Sequence, residues 1–142
     1  MGESILKIII VLLIAANAGY MAYDGYHALT LGDYIRPAQG DYAGQLGPWT
    51  MFASMAGIDP MSTMMKSIFV GFGIFGLLSV LLFILRPRLG ATLLMLFCFL
   101  TLWNIMFGAV SSFITIILIL SWRTLYAAKH TSPAIRAEST AT

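Results

Sequence analysis

Polar and aromatic side chains recur near the end of the first apolar stretch, in the sequence GYMAYDGYHAL. On a helix their spacing of i, i+3, i+4 and i+7 places them on one face: Tyr20, Tyr23, Asp24 and His27. An acid three residues from a histidine can contact it and can shuttle protons, sense pH or contribute to a metal site. The competing interpretation is interfacial, because tyrosines are enriched at membrane boundaries and polar residues cap a helix that leaves the lipid.

Two further residues extend this set. Lys66 begins the next apolar stretch on the same side, and it is the predicted charge partner of Asp24. Asn17 lies deeper, where an amide usually hydrogen-bonds another helix or lines a cavity. The predicted functional polar cluster is therefore Asp24, His27, Lys66 and Asn17. Because the sequence has no HExxH, GxSxG or Walker pattern and no nucleophile–base arrangement, we assign no catalytic residue and lean against an enzyme.

A long polar segment, GDYIRPAQGDYAGQLGPW, follows the first apolar stretch at positions 32–49. Its aromatic and charged side chains suit contact with a partner, and the predicted contact residues are Asp33, Tyr34, Arg36, Asp41, Tyr42 and Trp49. Arg36 can bridge Asp33 or Asp41 locally. The alternative is that this segment folds on itself as a cap on the rest of the protein.

Helix signals follow within the same segment. Pro48 is suited to a helix start, and the apolar and aromatic residues after it predict a short amphipathic helix at the membrane interface. Asp59 is the predicted N-cap of the next long helix, with Pro60 at its first position.

Patterns typical of cofactor sites are weak, and we expect neither a cofactor nor a metal. The GxGxxG pattern at 71–76 lies inside an apolar run with no preceding strand, so its glycines predict close helix packing rather than dinucleotide binding. Met51, Met55, Met61, Met64 and Met65 could offer sulfur to Cu(I), although methionine is also an adaptable packing residue. The two histidines, at 27 and 130, are predicted on opposite membrane sides, which disfavours haem. The single cysteine excludes an internal disulfide.

The composition requires a membrane environment. Of 142 residues 59% are hydrophobic and 10% are charged, whereas soluble domains carry about 25% charged residues. The net charge of +2 is scattered, so we expect no nucleic-acid partner. The expected partners are the lipid bilayer and other membrane subunits or further copies of the chain.

Apolar runs of roughly 20 residues predict membrane-spanning helices. We predict an all-α integral membrane protein, a four-transmembrane-helix bundle with a structured extracytoplasmic loop that contains the interfacial helix. One domain covers 1–130, with helices at about 5–28, 60–85, 89–107 and 109–128, an outer loop at 29–59 and a disordered cytoplasmic tail at 131–142. The last two helices form a hairpin, because a single run from 89 to 126 is too long for one crossing.

Lysines and arginines predict the orientation. They flank the apolar runs at Lys7, Arg86, Arg88, Arg123 and Lys129, whereas the segment from Asp24 to Asp59 is acidic. Both termini are therefore predicted in the cytoplasm and the outer loop outside a cell (inner or plasma) membrane. An alternative is signal-peptide cleavage near ANA at 16–18, but the apolar character continues to Ala22 and favours an uncleaved helix.

Two functions remain open on these residues. The leading prediction is an accessory, scaffold or assembly subunit of a larger membrane complex, because catalytic groups are lacking and the loop is rich in aromatic residues. The alternative is a small carrier or enzyme for a lipophilic molecule, with a cavity beneath the outer loop. A cavity lined by Asn17 and reaching the polar cluster would favour the alternative.

Overall fold

The described part of the chain is helical, with turns between the helices and no strand. The computed structural model describes residues 2–104 and 108–139, with side chains described as far as Lys129. Within these residues five helices follow one another: α1 (Gly2–Leu31), α2 (Trp49–Met55), α3 (Thr63–Leu85), α4 (Pro87–Leu100) and α5 (Gly108–Ser139).

Three helices are long and apolar enough to cross a bilayer. They are α1 with 30 residues, α3 with 23 and the Gly108–Lys129 part of α5 with 22, against roughly 20 residues for the hydrocarbon core. α4 has 14 residues, which at 1.5 Å each give about 21 Å. The chain is therefore a helical protein of the membrane-spanning class. The helical residues of α4 are by themselves too few for a full crossing.

Small residues allow α1 and α3 to pack closely. A Cβ atom at Gly73 would overlap the backbone of Ala22, and one at Gly76 would lie 2.6 Å from the Ala18 Cβ. Gly71, on the same helix, has no neighbouring atom within 4 Å. Two glycines of the GxGxxG pattern therefore form the helix contact that the sequence predicts, and the third lies on an open face.

The basic segments meet at one end of the bundle. Lys129 Nζ lies 3.3 Å from Glu3 Oε2, and Lys7 Nζ donates to the Ile84 carbonyl oxygen at 3.3 Å. These contacts bring the start of α1, the end of α3 and the later part of α5 together. The segment between α1 and α3 lies at the opposite end, as the charge asymmetry of the sequence predicts.

The start of α3 differs from the sequence prediction. Its N-cap is Ser62, whose Oγ accepts a hydrogen bond from Met65 N at 3.2 Å. Asp59, the predicted N-cap, accepts from Met61 N at 2.9 Å within the preceding turn. Asp59 and Pro60 therefore shape the approach to α3, and the helix begins one turn later because serine caps it.

The hairpin that follows α3 also has different bounds. α4 ends at Leu100, seven residues before the predicted bound at 107, because Thr101 closes its last turn and its Oγ1 donates to Phe97 O at 2.9 Å. The predicted break near Gly108 coincides with the start of α5, while residues 105–107 lie outside the described part. α5 is helical to Ser139, where the sequence predicts a disordered tail from 131.

Candidate functional site

Three hydrogen bonds attach the outer segment, residues 32–48, to the ends of α1 and α3. Lys66 Nζ donates to Gly32 O at 2.7 Å, and His27 Nδ1 donates to Asp33 O at 2.8 Å. The Ile35 N–H donates to Asp24 Oδ1 at 2.7 Å. Gly32 ends α1 with φ of +88°, a left-handed conformation that glycine adopts without steric cost. The chain then folds back over the bundle.

The predicted pairing of Lys66 with Asp24 is wrong. The Lys66 ammonium contacts the Gly32 carbonyl instead, because the terminal carbonyls of α1 lack partners within the helix and attract a cation. The Asp24 carboxylate accepts a backbone N–H from the outer segment. Both residues secure the same segment, but they do so separately.

Arg36 organises the first turn of the outer segment. Its Nη2 lies 2.7 Å from Asp33 Oδ1, and its Nη1 donates to Gly44 O at 2.8 Å. Of the two acidic partners that the sequence offers, Arg36 uses Asp33, while Asp41 is exposed. The hydrogen bond from Arg36 lowers the pKa of Asp33 below its ordinary value of 3.8, and the charge of Lys66 acts in the same direction.

This ion pair predicts a pH response of the outer segment. Because the folded pKa of Asp33 is depressed, its contribution to stability is present above the ordinary pKa and is lost as the pH falls through the lowered value. Acidification from neutral pH to below 3.8, the ordinary pKa of Asp33, should therefore loosen the turn. NMR titration of the Asp33 carboxyl carbon should show a higher pKa in Arg36→Gln than in the wild type. An Asp41→Asn control should leave it unchanged, and an unaltered Asp33 pKa in Arg36→Gln would contradict the assignment.

Aromatic rings from four parts of the chain pack beneath the outer segment. Trp49 at the start of α2 lies 5.0 Å from Tyr34 and 4.9 Å from Phe69 of α3, measured between ring centroids. Trp103, in the turn after α4, lies 6.2 Å from Trp49. Tyr34 is 3% exposed and Trp49 is 6% exposed. This aromatic cluster, comprising Tyr34, Trp49, Phe69 and Trp103, joins the outer segment to the bundle.

A cavity of about 350 Å³ lies beside this cluster. Its walls come from α1, the outer segment, α2, α3 and the turn after α4. The lining residues are Asn17, Tyr20, Asp24, Tyr34, Ile35, Pro37, Tyr42, Gln45, Leu46, Gly47, Pro48, Trp49, Phe69 and Asn104. Its volume is in the range of small-molecule sites, and such sites combine mostly apolar walls with a few polar groups.

Two buried polar atoms of cavity-lining residues have no hydrogen-bond partner among the described residues. They are the Asn17 amide nitrogen and the Tyr34 hydroxyl. Burial, followed by the negative charges of Asp24 and Asp59, raises the pKa of Tyr34, so its hydroxyl keeps its proton and can donate. Since buried polar groups are normally satisfied, these two donors suit a ligand with an acceptor oxygen.

The structure divides the predicted polar cluster. Asn17 and Asp24 line the cavity, whereas His27 and Lys66 hold the outer segment at its start. Of the predicted contact residues, Tyr34 and Trp49 face inward, while Tyr42 lines the cavity and is 68% exposed.

Several lining residues were missed as site residues, including Tyr20, Phe69 and Asn104. The signal for Tyr20 is its spacing, because Asn17, Tyr20 and Asp24 stand at i, i+3 and i+7 on one face of α1. The positions of Phe69 and Asn104 depend on how α3 and the turn after α4 pack around that face.

Two other features, the methionine group and a second cleft, give weaker evidence for a functional site. Met65 is buried at 3% exposure while Met55 and Met64 are 77% and 60% exposed, so the predicted methionine group does not share one environment. A second cleft, of about 540 Å³, lies between α4 and α5 at the opposite end and is lined by Arg88, Leu89, Thr92, Trp122, Arg123, Tyr126 and Ala127. None of the predicted site residues lines this second cleft.

The fold and the cavity define a small helical membrane-spanning protein with a polar and aromatic cavity beneath an ordered outer segment. Comparisons with protein-family models, with curated proteins and with solved structures find no significant match to this chain. The function is therefore argued from the cavity itself.

Proposed function

We propose that this chain is a small membrane carrier that binds a lipophilic molecule in the cavity beneath the outer segment. The observation that supports this most is the pair of unpartnered donors, Asn17 and Tyr34, at a cavity of about 350 Å³. Each buried polar group without a partner costs about 1–3 kcal/mol. Of the four such side-chain atoms among the described residues these two meet at one cavity, whereas Thr115 Oγ1 and Trp122 Nε1 do not line it. A ligand with an acceptor oxygen removes that cost when it binds.

The proposal includes a topology. We propose four crossings of a cell (inner or plasma) membrane, with both termini in the cytoplasm and the outer segment on the other side. The common location of Lys7, Lys129 and the α3–α4 connection supports this, since basic residues favour the cytoplasmic side. The fourth crossing is α4 together with the turn through Asn104, which lengthens its short helix.

Native mass spectrometry of the protein, purified in a mild non-ionic detergent, tests the carrier function. We expect a retained small molecule at about one per chain in the wild type, because the proposed site is the cavity beneath the outer segment. Asn17→Leu keeps the number of side-chain heavy atoms and removes the polar group, so retention of the molecule should fall because its hydrogen bond to Asn17 is lost. Because the amide nitrogen has no partner among the described residues, this variant should be as stable as the wild type or more stable.

A matched control lies one residue away. Ala16 is exposed on α1, so Ala16→Leu adds the same side chain outside the cavity and should keep the molecule. Wild-type protein that is monodisperse and holds no small molecule would contradict the carrier function, as would equal retention by the Asn17→Leu variant.

An accessory or assembly subunit is the second candidate function, and one observation favours it. On α2, Met51 and Met55 are 58% and 77% exposed, and methionine is common at adaptable interfaces. The partner would be another membrane subunit or a second copy of this chain. Met51→Glu should then abolish co-purification or self-association while leaving any small molecule in place; unchanged association would remove this candidate.

A further inference from the structure

We propose that the ligand of this cavity is a lipophilic organic cation whose positive charge lies against Asp24. This inference rests on the proposed carrier function and adds the chemical class of the ligand. It comes from three observations: the charge of the cavity lining, the ion pairs that Asp24 does not make, and the aromatic residues around it.

The lining has a single charged side chain. Among the described residues that line the cavity, Asp24 is acidic and none is basic. Asp24 is only 4% exposed, so its carboxylate lies largely out of water, where an ionised group needs an opposite charge or strong hydrogen bonds. The cavity therefore favours a positive charge over a negative one.

Among the described residues, no basic side chain forms an ion pair with this carboxylate. The described residues form two ion pairs, Arg36–Asp33 and Lys129–Glu3, and neither includes Asp24. The two basic side chains at this end of α1 and α3 hydrogen-bond elsewhere, His27 to Asp33 O and Lys66 to Gly32 O. One Asp24 oxygen accepts the Ile35 N–H, which leaves the second oxygen for a ligand.

Aromatic residues complete a cation site. Trp49, Tyr34 and Phe69 line the cavity and lie 4.9–5.2 Å from one another between ring centroids. Aromatic rings attract cations through the negative charge of their faces, most strongly in tryptophan, and aromatic cages recognise organic cations for this reason. A carboxylate beside such rings binds a large, weakly hydrated cation better than a small inorganic ion.

The position of Tyr20 indicates where the apolar part of the ligand lies. Tyr20 lines the cavity and is also 45% exposed on the membrane-spanning helix α1. The cavity is therefore bordered by a residue that faces the surroundings of α1, and an apolar group can extend past it into lipid. The ligand class is a cation with an apolar body, and the Asn17 amide suits an acceptor oxygen on it.

Two probes of matched shape test the charge. Methyltriphenylphosphonium is a lipophilic cation, and 1,1,1-triphenylethane has the same three rings and methyl group on a neutral carbon, with no acceptor oxygen on either probe. Binding is measured by equilibrium dialysis to the full chain in lipid nanodiscs, with empty nanodiscs subtracted. We expect the cation to bind at least tenfold more tightly than the neutral probe.

Asp24→Asn should remove this preference. The asparagine side-chain oxygen can still accept the Ile35 N–H, so the outer segment stays attached, and an unchanged melting temperature would confirm folding. Asp41→Asn is the matched control, because it removes the same charge from the exposed outer segment. The control should keep the full preference for the cation.

The outcomes separate the two proposals. Equal binding of both probes, tighter binding of the neutral probe, or an undiminished preference in Asp24→Asn would overturn the cation inference and leave the carrier function standing. If neither probe binds and the purified protein retains no small molecule, both proposals fail. A retained molecule that proves neutral or anionic overturns only the cation inference.

Discussion

Replacing Gly73 with leucine is expected to force α1 and α3 apart and to lower the thermal stability of the protein. A Cβ at this position would overlap the backbone nitrogen and Cα of Ala22. Backbone atoms cannot rotate away as a flexible side chain can, so the helices themselves must move. Since α1 and α3 form the most extensive helix pair, the change disturbs the main packing contact of the bundle.

The magnitude follows from overpacking. Extra methylene groups in a packed core typically cost 1–3 kcal/mol, and leucine adds four heavy atoms against backbone, so we expect about 3 kcal/mol or more. Thermal unfolding in a mild detergent, followed by tryptophan fluorescence, measures the loss. Size-exclusion chromatography then reports whether the variant stays monodisperse.

Gly71→Leu is the matched control on the same helix. No atom lies within 4 Å of the position that a Cβ would occupy there, so leucine meets open space. Leucine also favours a helix over glycine by up to about 1 kcal/mol, and the control should be as stable as the wild type or slightly more stable. Equal destabilisation at both positions would show that helix contact is not the reason.

The close contact between α1 and α3 was in part predictable from the sequence. Small residues recur at 71, 73 and 76 and again in AANAG at 15–19, and close approach of two helices needs such residues on both. The pattern did not indicate which glycine faces the partner. That depends on the rotation of each helix about its axis, which the side chains of all its neighbours determine.

The lining of the cavity was predictable from the sequence on α1 but not in the outer segment. The spacing of Asn17 and Asp24 predicts a shared face, and both line the cavity. The inward position of Tyr34 was not predictable, because it depends on the hydrogen bond that the Ile35 N–H donates to the Asp24 carboxylate, 11 residues away. The sequence Gly-Asp-Tyr occurs twice in the outer segment, at 32–34 and 40–42. Gly32 and Gly40 have similar φ of +88° and +90°, yet Tyr34 is 3% exposed and Tyr42 is 68% exposed.

One residue connects the outer segment with the cavity. Asp24 holds the Ile35 N–H with one oxygen and faces the cavity as a lining residue. A ligand that binds to the charge of Asp24 should therefore also affect how firmly the outer segment is attached. Release of that segment should then remove one wall of the cavity, because the aromatic cluster at Trp49 joins the segment to the bundle.

Trp49→Ala is accordingly expected to release the outer segment while the long helices remain folded. Trp49 is 6% exposed and contacts Tyr34, Phe69 and Trp103. Truncation of a buried tryptophan costs about 3–5 kcal/mol, and most of that loss should fall on residues 32–59. Hydrogen exchange followed by mass spectrometry should show faster exchange there than in the centres of α1 and α3.

Met55→Ala controls for a change on the same short helix. Met55 is 77% exposed, so its truncation removes little packing and exchange should stay as in the wild type. The retained molecule should leave the Trp49→Ala protein and stay with the Met55→Ala protein, because only the first change removes a cavity wall. Faster exchange spread evenly over every helix in Trp49→Ala would show instead that the aromatic cluster supports the whole bundle. The cavity wall at Trp49 would then depend on the whole bundle and not on the outer segment alone.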